Sequence, residues 1–310
     1  MLIWPLAASA PRRPHQHRRD DQKCAADDCV VAGSLDVFAS RIESHPSSIV
    51  VAMETLEILR QDGVVTVTMN RPAKKNAANQ TMWAELLETF RDVASRDTDR
   101  VMVLTGAGGA FCSGADLSGG GDQRADRHQL ASMRGITDVC LALARIPQPT
   151  IAKVRGVAVG AGCNMALICD LVVASDTARF SEIFSKRGLS VDFGGSWVLP
   201  RRVGLHRAKE LAFFAEIVGA KDAEQMGLVN RVVADAEIDA FVAGWANRLA
   251  AGPPIALAQT KRLLNNSANV TLEEALDDEG AAQTINFSTK DTAEAMKAFI
   301  EKRDPRFTGR

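Results

Sequence analysis

The 310-residue chain carries 37 Lys and Arg against 38 Asp and Glu, a formal net charge of −1, and is 46% hydrophobic. That balance excludes a broad basic surface for nucleic acid and a polybasic membrane anchor, while the apolar share supports one large core with appendages. No stretch has the length and apolarity of a transmembrane helix. Six cysteines, at 24, 29, 112, 140, 163 and 169, show neither the paired spacing of a zinc site nor the density of a disulfide scaffold, so they read as cytosolic thiols.

Residues 1–52 are poor in apolar periodicity and rich in Pro, Arg and His, the composition of a disordered N-terminal extension. The apolar stretch at 1–10 lacks a preceding basic region, which weakens a signal-peptide reading. Met53 directly precedes the first regular pattern, so the residues before it read as a dispensable tail or an over-extended reading frame. From 56 onward LEILRQDGVVTVTMN places two β-branched runs around Asp62-Gly63, a hairpin signal. Met82, Leu86, Phe90 and Val93 then recur at helical spacing, and 100–106 returns to an apolar strand ending in glycine. TGAGGAF at 105–111 follows that strand as a dinucleotide-binding turn would. Phe111 occupies the place of the third glycine, however, and no lysine follows to make a P-loop, so the turn reads as a backbone donor.

A helix near 129–145, a break at Pro147 and Pro149, and a strand at 150–154 come next. The stretch 151–170, IAKVRGVAVGAGCNMALICD, runs from an apolar strand through a glycine-dense turn into a short apolar helix. Glycines at 156, 160 and 162 leave backbone N–H groups bare at a helix N-terminus, where partial positive charge concentrates. A second glycine-bracketed segment, FCSGADL at 111–117, supplies another N–H once the chain folds back, and the pair reads as an oxyanion hole. Each glycine taken alone fits an ordinary tight turn as well. Strands at 171–175 and 178–181 follow, and a helical C-terminal region begins near Gly252-Pro253-Pro254. His15, His17 and His45 fall in the extension, and His128 and His206 have no neighbouring ligand pattern, so no metal site is expected.

These glycine segments, with NRP at 70–72 and FGGSWVLPR at 193–201, occur in the order seen in the crotonase superfamily, the enoyl-CoA hydratase/isomerase family, which the chain resembles over roughly 54–310. The resemblance implies an α/β fold: a crotonase-type spiral of ββα units forming a core at 53–252, and a helical region at 253–310 that caps the site and packs homotrimers, singly or as a dimer of trimers. It implies a cytoplasmic enzyme acting on an acyl-CoA thioester, with coenzyme A as part of the substrate and no separate cofactor. The implied oxyanion donors are the N–H groups of Ala115 and Ala161. Implied coenzyme A contacts come from Ala115, Asp116 and Leu117, near Arg124, Arg127 and Arg134, and from Phe299 and Lys302 in a terminal helix at 296–310. Read from its residues alone, that helix is equally an amphipathic one with a solvated basic face.

A hydratase of this family uses two glutamates, because addition across a double bond needs two positioned groups. Here the first falls at Asn164 and the second at Phe184, neither of which has useful basicity. A carboxylate stands nearby at Asp192, where isomerase branches of the family place a catalytic aspartate. One base suffices to move a double bond, by taking a proton from one carbon of the acyl chain and returning it to another. Val191, Phe193 and Trp197 are the apolar neighbours expected to desolvate it and raise its pKa. By residue type alone Asp192 also reads as a turn or N-cap residue. A nucleophilic Asp192, as in relatives that dehalogenate aryl-CoA esters, ranks lower for want of an accompanying base; His128, in a loop rich in Arg and Asp, is expected to face solvent. Glu182, two residues from the hydratase position, is the alternative carboxylate. Three readings follow in descending order: an enoyl-CoA isomerase using Asp192, a hydratase or other lyase of fatty-acid or aromatic-acid degradation using Glu182, and a non-catalytic acyl-CoA-binding trimer.

Overall fold

Hairpin chemistry starts the sheet. The computed structural model describes residues 48–118 and 128–310, and in it β2 (Leu56–Gln61) and β3 (Val64–Met69) pair antiparallel across Asp62 and Gly63. Both turn residues have positive φ, 52° and 80°, as a two-residue turn that follows strand twist demands. Upstream, β1 (Ile49–Ala52) pairs with β2, so ordered structure begins inside the predicted 1–52 extension rather than at Met53. Its IVVA run has an open sheet edge to pair with, which overrides the composition of the segment before it.

Apolar periodicity places the next elements. Helix α1 (Gln80–Ser95) is capped by the Asn79 side chain, which accepts from the Met82 N–H, and it buries Met82, Leu86, Phe90 and Val93. Strand β4 (Val101–Gly106), helix α2 (Gln129–Ala144) and strand β5 (Thr150–Val154) match the sequence pattern closely. The glycine-dense turn expected at 156–162 instead contains a three-residue strand, β6 (Val157–Val159), before α3 (Ala161–Ile168). Val157–Val159 pairs with β8 (Arg179–Ser181), which follows β7 (Leu171–Ser175).

Later come α4 (Gly195–Val203), α5 (Leu205–Phe214), β9 (Val218–Gly219), α6 (Ala220–Gln225), β10 (Arg231–Val233) and α7 (Ile238–Ala250). Seven strands form one sheet in the order β1-β2-β3-β4-β5-β7-β10, parallel from β3 onward. A smaller sheet runs β6-β8-β9. In the units β5-β6-α3 and β7-β8-α4 the first strand joins the large sheet and the second the small one, which is the repeating ββα turn of a spiral.

Both faces of the parallel strands are covered, as such sheets require. On one face α1, α2 and α3 contribute to the main apolar cluster. On the other, Ile238, Val242 and Ala246 of α7 pack on Val101, Val103, Ile151 and Val173. Helix α3 is buried from Ala161 through Leu167, so its N-terminus ends inside the protein rather than at the surface. Gly162 is what allows this close approach: a Cβ there would lie 2.4 Å from the Cys112 carbonyl oxygen.

The C-terminal helices are different in kind. Helix α8 (Pro254–Asn266) buries no residue and α9 (Leu272–Phe287) only Ala282, while Leu264, Leu272, Leu276, Phe287, Phe299 and Ile300 stand exposed. Helix α10 spans Lys290–Glu301, so the terminal helix expected at 296–310 begins earlier and stops at Lys302, whose φ is 56°. The tail beyond it folds back: Thr308 N–H and Gly309 N–H donate to the Asp291 carboxylate, and Lys290 N–H donates to the Arg310 carbonyl. No helix among the described residues is long and apolar enough to cross a membrane.

Candidate active site

The two glycine segments meet. Cys112 bridges to Ala158 through Cys112 N–H to Val157 O at 3.0 Å and Val159 N–H to Cys112 O at 2.9 Å. Two residues on, Gly114 adopts φ 96°, and a Cβ there would lie 3.8 Å from the Ala161 nitrogen, which sets the Ala115 loop against the start of α3. On its other side this loop is held by Ala78, whose N–H donates to Gly114 O and whose carbonyl accepts from Asp116 N–H. That parallel bridge uses the groups flanking Ala115 and turns the Ala115 N–H away from Ala78. Ala161 is the first residue of α3, so its N–H has no intrahelical acceptor. Among the described residues neither N–H donates to a backbone carbonyl. Two bare donors are thus brought together, one of them at the positive end of a helix.

The loop bearing Ala115 is anchored from below. Asn76, fully buried, donates to Ala107 O at 2.9 Å and Ala110 O at 2.8 Å, and its Oδ1 accepts from Arg71 N–H. Arg71 of the NRP motif pairs with Asp116 at 2.9 Å. Hydrogen bonds from Ser118, then Arg71, hold the Asp116 carboxyl down at about 2. Asp116 is therefore committed to the loop's own structure, while Ala115 and Leu117 are exposed. Of the cationic residues expected near coenzyme A, Arg124 and Arg127 lie outside the described residues, and Arg134 is an exposed residue of α2. Phe299, 84% exposed, and Lys302 sit at the end of α10.

Beyond α3's first turn lies a polar cluster in apolar surroundings. Asn164, fully buried, donates from Nδ2 to the Asp192 backbone carbonyl at 2.9 Å and to Glu182 Oε2 at 3.3 Å. Glu182 is 2% exposed and its Oε1 has no hydrogen-bond partner. Burial pushes it up to about 7, with the Cys163 thiol and Asn164 opposing and the Asp192 charge adding to the rise. Phe184, at the second hydratase position, presents its ring to Gly160, where a Cβ would lie 3.6 Å from Cζ.

Asp192 precedes Phe193, which takes a left-handed φ of 47°, and Gly194, the N-cap of α4. No side chain caps that helix, so the cap role open to Asp192 by residue type is not the one it plays. Its Oδ1 is buried without a partner, and burial pushes the carboxyl up to about 6. The wall around it departs from expectation. Phe193 is buried and packs on Trp83 with ring centroids 5.6 Å apart, but Trp197 is 41% exposed and its ring is covered by Arg201. The Cys140 thiol of α2 lies close enough to feel the Asp192 charge. Neither Trp83 nor Cys140 carries a sequence signal for this place; both arrive through the packing of α1 and α2. His128 accepts from Leu130 N–H at the start of α2, an exposed cap.

Chemically, the arrangement offers two N–H donors for a developing oxyanion and two carboxyls with raised affinity for protons. The burial of Glu182 carries a stability consequence. Because its folded value, about 7, lies above the ordinary 4.5, its contribution is complete below about pH 4.5 and is lost as pH rises through 7. Glu182→Gln, which cannot ionise, is expected to exceed the parent in stability by about 3 kcal/mol at pH 8 and by nothing at pH 4. Urea unfolding at the two pH values measures the difference.

Residues 59–310 match the family described as Enoyl-CoA hydratase/isomerase. The chain is 38% identical over 256 residues to the 1,2-epoxyphenylacetyl-CoA isomerase of Escherichia coli, covering 81% of this chain and 97% of that protein. It is 34% identical over 259 residues to the 2,3-dehydroadipyl-CoA hydratase of the same organism, covering 83% and 100%. Among solved structures, the enoyl-CoA hydratase of Mycobacterium smegmatis superposes with a TM-score of 0.76 at 37% identity, covering 82% of this chain and 99% of that one. Fold and matches agree, and the chain belongs to the enoyl-CoA hydratase/isomerase family, the crotonase superfamily.

Proposed function

We propose that the protein is an enoyl-CoA isomerase that moves a double bond in an acyl-CoA thioester with Asp192 as its single base. The observation that carries this reading is the Asp192 carboxylate: half-buried, unpartnered at Oδ1, its main chain held by Asn164, in a chain with no acidic residue at 164 or 184, where a hydratase needs glutamates. The thioester oxygen sits between the N–H groups of Ala115 and Ala161, which stabilise the negative charge that appears when a proton leaves the acyl chain. Asp192 takes that proton from one carbon and, now protonated, returns it at the other end of the dienolate. A base with a value of about 6 is ionised at neutral pH yet binds the proton well enough to hold it between the two steps.

A second reading is supported by Glu182, a buried carboxyl with a free oxygen: a hydratase in which Glu182 activates water. The two are separated by offering the protein matched 2-enoyl-CoA and 3-enoyl-CoA thioesters in deuterated water. Double-bond migration with deuterium uptake and no hydroxyacyl product is the expected outcome. A hydroxyacyl product assigns the water-activating role to Glu182. No turnover with either substrate supports a binding role. Assembly into trimers is inferred from the exposed apolar side chains of α8, α9 and α10, which a single chain leaves uncovered. The buried free thiols Cys112, Cys140, Cys163 and Cys169 support a reducing, cytoplasmic setting.

A further inference from the structure

Glu182 and Asp192 hang from one buried amide. The Nδ2 group of Asn164 holds the Glu182 carboxylate at 3.3 Å and the Asp192 main chain at 2.9 Å, while Glu182 Oε1 and Asp192 Oδ1 are both without partners. From α3, the Cys163 thiol faces Glu182; from α2, the Cys140 thiol faces Asp192. The cations nearest in sequence are turned away: Lys186 and Arg187 of the turn after Glu182 are exposed, and Lys186 pairs with Glu216 at 3.1 Å. On α5, packed against that turn, His206, Arg207, Lys209 and Glu210 are exposed as well.

Among the described residues no cation pairs with either carboxyl, and two carboxyls in an apolar cluster cannot both ionise cheaply, so the pair favours a single negative charge. Its protons then leave in two steps that belong to the pair. Exposure decides where the charge rests. Glu182 is 2% exposed, whereas Asp192 is half-buried, so the anion sits on Asp192 and the proton on Glu182.

We propose that Glu182 is a positioning residue that stays protonated through turnover and keeps the cluster at one negative charge, so that Asp192 alone serves as the base. This rests on the Asp192 reading above. Neutral Glu182 leaves the field of the site open to the negative charge that must grow on the thioester oxygen. Ionised Glu182 adds a second buried negative charge that opposes it and disturbs the shared Asn164 bond. Glu182 touches no substrate carbon in this scheme and exchanges no proton with it.

The test is the pH dependence of kcat for the parent, Glu182→Gln and Asp192→Asn, each checked for folding by circular dichroism. The parent is expected to give a bell, its acid limb from Asp192 near pH 6 and its alkaline limb from Glu182 near pH 7. Glu182→Gln is expected to keep the acid limb and to lose the alkaline one, exceeding the parent at least about tenfold at pH 9. An alkaline limb that persists in Glu182→Gln, with Asp192→Asn inactive, overturns this inference alone. Parental activity in Asp192→Asn overturns the underlying isomerase reading instead, and a folded but inactive Glu182→Gln overturns both by making Glu182 the reacting group. Infrared titration of the parent and of Asp192→Asn answers the question without turnover. A protonated carboxyl band is expected in both proteins, titrating near 7 in the parent and lower in Asp192→Asn, where the Asp192 charge no longer adds to the rise; its absence from both overturns the proposal.

Discussion

Asp192→Asn is expected to lower kcat by about 100-fold or more while leaving the binding of a saturated acyl-CoA within about twofold of the parent; a general base typically contributes 10²–10⁴ in rate. The substitution is nearly isosteric, and the contacts that shape the loop survive it. The Asp192 backbone carbonyl still accepts from Asn164 and from Gly195 N–H, both at 2.9 Å, and the side chain caps no helix. Stability is not the route by which activity falls. Burial raises the Asp192 carboxyl to about 6, so in the parent its stability contribution is present at low pH and lost as pH rises through 6. Removing the ionisable group therefore leaves the melting temperature at pH 8 no lower than the parent's. A variant that is folded, binds acyl-CoA and still isomerises at the parental rate would end the Asp192 assignment. Enzyme kinetics, calorimetric titration with the saturated thioester and a thermal melt together decide it.

Ala161→Pro is expected to lower kcat about 10²–10³-fold, the loss of roughly 2.7–4 kcal/mol that accompanies removal of one oxyanion donor. Only proline deletes a backbone N–H, and this is a position where it can do so with little harm to the helix. Ala161 opens α3, so its N–H lies outside the intrahelical ladder, and proline is well tolerated at a first helical position. Gly160 before it has no Cβ to clash with the proline ring. Ala161→Gly, which keeps the N–H, serves as the control and is expected to stay near the parental rate. If proline and glycine variants turn over equally fast, with both folded by circular dichroism, the Ala161 N–H plays no part in the chemistry.

Much of this architecture was legible from local pattern. Asp62-Gly63 specified the hairpin because a tight two-residue turn needs positive φ at both positions. Met82, Leu86, Phe90 and Val93 specified α1 and its buried face because a helix repeats every 3.6 residues. The two segments that bear bare N–H groups were visible because a backbone donor at a helix start needs glycines beside it for room and for conformation. Other features were hidden for equally physical reasons. Val157–Val159 is too short to signal a strand alone, and its partners, Cys112 and the residues of β8, are far away in sequence. Strand β1 forms because an edge of β2 is available, which the preceding residues do not announce.

What the sequence determined by itself is the alternation of strands and helices, the two glycine-framed N–H donors, and the absence of acidic residues at positions 164 and 184. These rest on backbone conformational limits and on side-chain chemistry, which act locally. What only the tertiary structure decided is how the carboxyls near these donors are set. Glu182 and Asp192 acquire raised proton affinities because α3, the turn after β8 and the loop before α4 enclose them together. Asn164 becomes their common donor only when α3 is buried end-on. Trp197 turns outward and Trp83 lines the wall because Arg201 and Phe193 pack where they do. Desolvation and the Coulomb interaction depend on distance through space, which spacing along the chain does not encode.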